Sequence, residues 1–269
     1  MADPLGRVLI IAGSDSGGGA GVQADIKTVT ALGGYAATAI TAITVQNTLG
    51  VHDIFPIPVA LVEAQARAVL DDIGADTIKI GMLGGVEVVE TVARLLDIAR
   101  AIPAVIDPVM IAKGGRRLLA GKALDALRSL LVPRATLLTP NAPEAAVLTG
   151  LAVDSTDDLR RAGEALLGMG ARAVLMKGGH VAGESVIDLL MSASGETSFE
   201  GPRIAGRHTH GTGCTLASAI AAGLAQGLST EAAVERARGY VQRAIASAPG
   251  IGHGHGPLDH AHPLHNFSG

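Results

Sequence analysis

The sequence predicts an α/β fold in which a mostly parallel sheet is covered on both faces by helices and carries an antiparallel edge. Three observations support this. Apolar, strand-length runs alternate with helix-length segments along most of the chain, the pattern that parallel strands with crossover helices produce. Late in the sequence two strand-like runs, 185–191 and 196–200, follow one another around Ser194-Gly195, which predicts a hairpin. The core must also be filled by small and branched side chains: 48% of the 269 residues are apolar, 2% are aromatic, Trp is absent, and there are 36 Gly. That mixture favours close packing of helices on a sheet.

In chain order, residues 8–12 are a continuous apolar run and read as a buried strand, followed by a glycine-rich loop over 13–19. Residues 20–32 have helical spacing and stop at Gly33-Gly34. The Thr-, Ile- and Val-rich run 35–46 reads as one strand, 59–73 as a helix ending at Gly74, 77–80 as a short strand and 86–100 as a helix. Residues 105–107 form a strand that Pro108 stops, because proline cannot donate to a central ladder. Then follow a helix over 123–131, a strand over 136–138, a short helix over 143–148, a helix over 157–169 and a strand over 173–176. After the hairpin, helices over 212–226 and 230–248 close the chain. No linker or internal repeat interrupts it, so a single domain over residues 1–269 is the simplest division.

Charge excludes some functions. There are 21 basic and 25 acidic residues, net −4, with no basic stripe and few aromatic platforms, which argues against nucleic-acid binding. The single cysteine, Cys214, allows no intrachain disulfide and suits a cytoplasmic location. Residues 1–7 lack a leader pattern, and no run approaches the roughly 20 apolar residues of a membrane span.

In parallel sheets ligands bind at the carboxyl ends of strands, and three of four candidate motifs fall there, the fourth preceding a late helix. Thr209-His210-Gly211-Thr212-Gly213-Cys214-Thr215 runs into an Ala-rich helix. It reads either as an anion site made by free amides at a helix start or as an ordinary Gly-rich start with Thr212 as N-cap. Cys214 lies in the first turn, where a helix N-terminus favours thiolate, although a lone Cys also reads as a small buried hydrophobe. The stretch 13–21, Gly-Ser-Asp-Ser-Gly-Gly-Gly-Ala-Gly, joins a strand to a helix without a Walker lysine or dinucleotide spacing. It suits a turn around a small substrate, or a plain connection. Asn141 and Glu144, three apart at a helix start, suit Mg²⁺ directly or through water, or a capping box. Lys177, followed by Gly178-Gly179-His180, can reach a phosphate as a point charge or stand solvated beside a turn. Asp107 ends a buried strand, where it can tune a metal or a lysine. The His- and Gly-rich tail over 252–265 reads as structural in preference to metal-binding.

Taken together, Ala12 to Gly21 with Gln23-Ala24-Asp25, Thr41-Ala42, Gln46-Asn47-Thr48, Lys79-Ile80-Gly81-Met82-Leu83, Asp107-Pro108-Val109-Met110, Thr139-Pro140-Asn141, Glu144-Ala145, Lys177 to His180, His208 to Thr215 and Gly252 to Pro257 carry a resemblance. In that order they resemble the hydroxymethylpyrimidine/phosphomethylpyrimidine kinases of thiamine biosynthesis, within the ribokinase-like superfamily, over roughly residues 8 to 260. Each motif alone is weak and the set is specific.

The resemblance implies a ribokinase-like three-layer α/β/α fold. It implies ATP-dependent phosphorylation of 4-amino-5-hydroxymethyl-2-methylpyrimidine and then of its monophosphate, with Mg²⁺, room for a monovalent cation, and a homodimer by analogy. Gly13, Asp25, Gln46 and Met82 would line the pyrimidine site; the Gln46 amide can both donate to and accept from an aminopyrimidine edge. Asp107, Asn141 and Glu144 would organise Mg²⁺ and phosphates, with Asp107 and Glu144 on the metal. Lys177, Thr209 and Asn141 would meet ATP, and Gly211, Thr212, Gly213 and Cys214 would form the anion hole and catalytic turn. At Lys113-Gly114-Gly115, expected in a mobile flap, the family often has Ser for the first Gly. Many ribokinase-like sugar kinases place an Asp base where this chain has Cys214. Pyridoxal kinases share the fold and form the nearest alternative. An NAD-dependent dehydrogenase is disfavoured by the missing fingerprint, and a non-catalytic binding module by the full set of polar residues.

Overall fold

The structure, a computed structural model, describes residues 5–111, 115, 119 and 121–265. Lys113 and Gly114, assigned above to a flap, lie outside the described residues. In chain order the elements begin with β1 (Arg7–Ala12), α1 (Gly21–Ala31), β2 (Tyr35–Ile40), β3 (Ala42–Asn47), β4 (Gly50–Pro56) and α2 (Val59–Ala68). Next come β5 (Thr77–Ile80), α3 (Val86–Ile98), β6 (Ala104–Ile106), α4 (Lys122–Ala126), β7 (Leu137–Leu138) and α5 (Ala142–Thr149). The last are α6 (Thr156–Gly168), β8 (Ala173–Met176), β9 (Ser185–Ser192), β10 (Gly195–Pro202), α7 (Thr212–Ala225) and α8 (Thr230–Ala246).

Eight strands form one sheet in the order β10-β9-β8-β7-β6-β5-β1-β2. From β2 to β8 every pairing is parallel, and β9 and β10 add the antiparallel edge. Strand alternation sends Leu9, Ile78 and Val174 to one face, where they pack with α2 to α6. Ile10, Val105 and Leu175 point to the other, against α1, α7 and α8. The result is the expected three-layer α/β/α architecture. Small side chains let the second layer close tightly. At Gly223 of α7 an added Cβ would stand 2.8 Å from the Ala233 Cβ of α8.

The run 35–46 is not one strand. The chain leaves the sheet at Thr41, whose N–H donates to Ala12 O at 3.0 Å and whose Oγ1 donates to Met82 O at 2.7 Å. From there β3 pairs antiparallel with β4 in a separate two-stranded sheet. This places Thr44 and Gln46 over the carboxyl ends of the main strands. Helix α2 is also shorter than its apolar pattern: it passes into a wide π turn, Val69–Ile73, before Gly74 at φ +74°.

Strand β1 is flanked by β2 on one side and β5 on the other, so the chain reverses its direction of travel across the sheet there. Such a reversal opens a crevice at the carboxyl ends. Gly13, Gly81, Asp107, Thr139 and Lys177 each follow one of these strand ends, around that crevice.

Candidate active site

A cleft of about 510 Å³ opens there, and a second of about 400 Å³ lies beside it. Asn141, Lys177, His180, Thr209, Thr212 and Gly213 line both, so the two spaces meet at the start of α7. The first is completed by Gly13, Gln46, Met82 and Cys214, the second by Arg203, Ile204, Arg238 and Val241.

The turn before α7 is built by close approach. Gly211 is the N-cap, at φ +80°, and a Cβ there would lie 1.8 Å from Gly19 O. Only glycine fits that contact. Thr212 is therefore not the cap; its Oγ1 donates to Thr209 O at 2.8 Å. As the second and third residues of the helix, Gly213 and Cys214 carry amides with no intrahelical acceptor. Lys177 is close by, because a Cβ on Gly213 would lie 3.2 Å from its Nζ.

Lys177 Nζ donates to Asp107 Oδ1 at 2.9 Å and stands 3.7 Å from Glu144 Oε2. Burial works against the ammonium, but the two carboxylates outweigh it and raise the Lys177 pKa. Burial pushes Glu144 up to about 7; Lys177 opposes the rise and Asp107 adds to it. Asn141 and Glu144 make a complete capping box: Glu144 N donates to Asn141 Oδ1 at 2.9 Å, and Asn141 N to Glu144 Oε2 at 2.8 Å. This does not exclude a ligand role, since both residues also line the first cleft. Among the described residues no three His, Cys, Asp or Glu side chains converge as a metal cage. Two carboxylates, the buried Asp107 and the partly buried Glu144, nevertheless fit a hard divalent cation that takes its other ligands from water and phosphate.

Asp25 does not line the cleft. It is fully buried beneath it, where Oδ2 accepts from Lys79 Nζ at 2.8 Å and Oδ1 from Ser218 Oγ at 2.7 Å. Lys79, also fully buried, lies directly under the cleft wall, and sequence reasoning left it out of the site. Its signal was a lone charge in the apolar strand Thr-Ile-Lys-Ile. Burial disfavours the Lys79 charge, but Asp25, Cys214 and Asp107 lift its pKa to about 12.

Of the two readings of Cys214, the structure supports the protonated thiol. Burial pushes its thiol up to about 12; Lys79 pulls down, and Asp107 and Asp25 push up further. The helix start does not produce a standing thiolate in a partly buried position beside two carboxylates.

Asp15, His210 and Thr44 were also missed as lining residues. Asp15 Oδ1 accepts from Gly17 N at 2.8 Å, and Oδ2 from Gly19 N at 3.1 Å, Ala20 N at 2.8 Å and His210 Nε2 at 2.8 Å. An Asp inside a glycine run was the available signal, because its side chain can gather loop amides. The tail closes on this region: His210 N donates to Gly256 O at 3.2 Å and His255 N to Thr48 O at 2.8 Å. A Cβ on Gly254 would meet Thr48 O at 2.1 Å, so this part of the tail is a close-packed strap.

Residues 15–259 match the family model described as phosphomethylpyrimidine kinase. The hydroxymethylpyrimidine/phosphomethylpyrimidine kinase of Streptomyces coelicolor is 53% identical over 96% of this chain and 95% of its own. Among solved structures, an ADP complex of Bacillus subtilis pyridoxal kinase superposes with TM-score 0.91 at 35% identity, covering 98% of this chain and 100% of that one. A phosphomethylpyrimidine kinase from Clostridium difficile 630 gives TM-score 0.80 at 40% identity, over 89% and 99%.

The buried pair gives one prediction. Asp25→Ala leaves an unpaired ammonium and should cost about 3–5 kcal/mol in urea unfolding, whereas Asp25→Leu with Lys79→Met should cost clearly less. A double variant as unstable as the single would refute this. Glu144 gives another. The unfolded chain releases this proton near pH 4.5 and the folded chain near 7, so the group stabilises at low pH and that contribution is lost as pH rises between them. With metal chelated, wild-type urea midpoints should fall across that interval relative to Glu144→Gln. Parallel curves would show that Glu144 is not so shifted.

Proposed function

The chain belongs to the phosphomethylpyrimidine kinase family, and on that premise we propose the reaction it catalyses. It transfers the γ-phosphoryl group of ATP to 4-amino-5-hydroxymethyl-2-methylpyrimidine, and then a second one to the monophosphate, in thiamine diphosphate biosynthesis. One observation carries the reading: two clefts meet at Lys177, Thr212 and Gly213, with the amide of Gln46 in only one of them.

The pyrimidine occupies the first cleft, against Gly13, Gln46 and Met82, and the nucleotide the second. Lys177, Thr209 and Asn141 face its phosphates. Phosphoryl transfer through a loose transition state needs positioning and charge stabilisation more than covalent help. Lys177 supplies a fixed positive charge, and the amides of Gly213 and Cys214 supply preorganised donors at the positive end of α7. Asp107 and Glu144 would hold Mg²⁺, which when bound neutralises charge on the phosphate oxygens.

Cys214 rests as a thiol beside the acceptor. In the first transfer a hydroxyl must lose a proton that a resting thiol cannot accept, so the contribution of Cys214 to that step is to hold the hydroxyl in place. The second acceptor, a phosphate ionised near neutral pH, needs no base. Pyridoxal phosphorylation is a second reading, favoured by the close likeness of fold to a pyridoxal kinase.

We also place the enzyme in a homodimer. Ile43 and Val45 of β3 and Phe55 of β4 are exposed on one face of the small sheet, an apolar patch suited to self-association.

A coupled assay should show ADP release with hydroxymethylpyrimidine and with its monophosphate, and little with pyridoxal; preference for pyridoxal would reverse the assignment. Cys214→Ala should lower kcat on the alcohol about tenfold or more beyond any loss on the monophosphate. Equal loss on both would remove a role specific to the alcohol. In sedimentation, Ile43→Glu with Phe55→Glu should shift a dimer to monomer, and an unchanged wild-type monomer would dismiss the dimer.

A further inference from the structure

We infer that His210 is a positioning residue that sets which way the Gln46 amide faces, and so which ring edge the acceptor cleft takes. The inference rests on the aminopyrimidine reading of the acceptor. Gln46 is held at its backbone by Ser16, whose Oγ donates to Gln46 O at 2.7 Å and accepts from Gln46 N at 2.8 Å. The open question for recognition is the orientation of its amide. Gln46 Nε2 lies 3.1 Å from His210 Nε2, and Oε1 lies 3.3 Å from Thr44 Oγ1.

Counting donors decides the orientation. His210 Nε2 is also 2.8 Å from Asp15 Oδ2. Burial alone would raise the Asp15 carboxyl, but His210 and the loop amides hold it below its ordinary value, so it is ionised. A carboxylate only accepts, so His210 Nε2 carries a proton. That N–H has no lone pair for the Gln46 amide nitrogen, which likewise has only protons to offer. On the other side, Thr44 Oγ1 gives its one proton to Ser14 O at 2.8 Å and has none left for Gln46 Oε1. Two neighbours reject the same orientation for separate reasons. Turning the amide end for end keeps the contacts and makes both into bonds. His210 Nε2–H is then shared by Asp15 and the Gln46 oxygen, and a Gln46 N–H donates to Thr44.

The locked amide keeps one N–H and one carbonyl lone pair for a ligand, in a fixed order. That order suits an edge on which a ring nitrogen accepts beside an exocyclic amino group that donates. The 4-oxo analogue presents the reverse, a ring N–H beside a carbonyl. A released amide would rotate to serve either.

Two measurements test this. In ligand-free protein, long-range ¹H–¹⁵N spectra should show His210 Nε2 protonated, with the resonance assigned by its loss in His210→Gln; a bare Nε2 would overturn the inference. In turnover, the ratio of kcat/KM for hydroxymethylpyrimidine to that for its 4-oxo analogue should fall about tenfold in His210→Leu, the size of one hydrogen-bond mismatch. His210→Gln, which restores an N–H near the Nε2 position, should recover most of the ratio. If His210→Leu does not fold, Thr44→Val removes the opposite anchor and should lower the same ratio. Equal losses on both acceptors would reduce His210 to a structural role. Failure of the wild type on hydroxymethylpyrimidine would instead overturn the acceptor reading, and the spectrum would still judge the His210 proton.

Discussion

A lysine and an aspartate with no contact with water hold the floor of the cleft together. Lys79 comes from β5, Asp25 from α1, and Ser218, which bonds the same carboxylate, from α7. Three elements from two layers are thereby pinned at one point. Neither charge could stay buried alone, because desolvating an ion costs several kcal/mol unless a partner answers it. The same rule governs Lys177 with Asp107 and Glu144. The cleft thus rests on two ammonium groups whose positions are fixed by carboxylates, and such fixed charge acts more strongly in a dry site than in water.

Glycine provides the complementary constraint. Gly211 approaches Gly19 too closely for any side chain, and the Gly19 and Ala20 amides turn inward to Asp15. The loop after β1 and the turn before α7 therefore behave as one piece. The strap at Gly254 and Gly256 packs on Thr48 and His208 and extends that piece to the small sheet. Backbone contact, with little side-chain bulk, is how a chain nearly free of aromatics shapes a pocket.

Much of this was legible in the sequence. The apolar runs of β1, β5 and β8, and the spacing of α3, α6 and α7, read correctly because local pattern and burial agree there. The split at Thr41 did not, since no Gly or Pro marks it; bonds to Ala12 and Met82 make it, and those are tertiary. Strand β4 escaped notice because Val-His-Asp-Ile-Phe is half polar and pairs outside the main sheet. The candidate residues on glycine loops and strand ends, Gly13, Met82, Asp107, Asn141 and Lys177 among them, line one cleft. Asp25 was placed one layer too high, because sequence does not reveal depth. Lys79 and His210 were passed over because their roles depend on partners far along the chain. The Cys214 thiol was left between a helix-start thiolate and a buried hydrophobe, and burial beside carboxylates, which sequence does not show, keeps it protonated.

The distance in sequence between those partners has its own consequence. Asp15 and His210 are 195 residues apart, and Asp25 and Ser218 are 193. The cleft is closed by joining the two ends of the chain, whereas β1 and β2, with α1 between them, can assemble from near neighbours. Contacts across such long loops cost more closure entropy and form late. Refolding from denaturant should therefore restore helix signal before turnover, with catalytic competence as the last property to return.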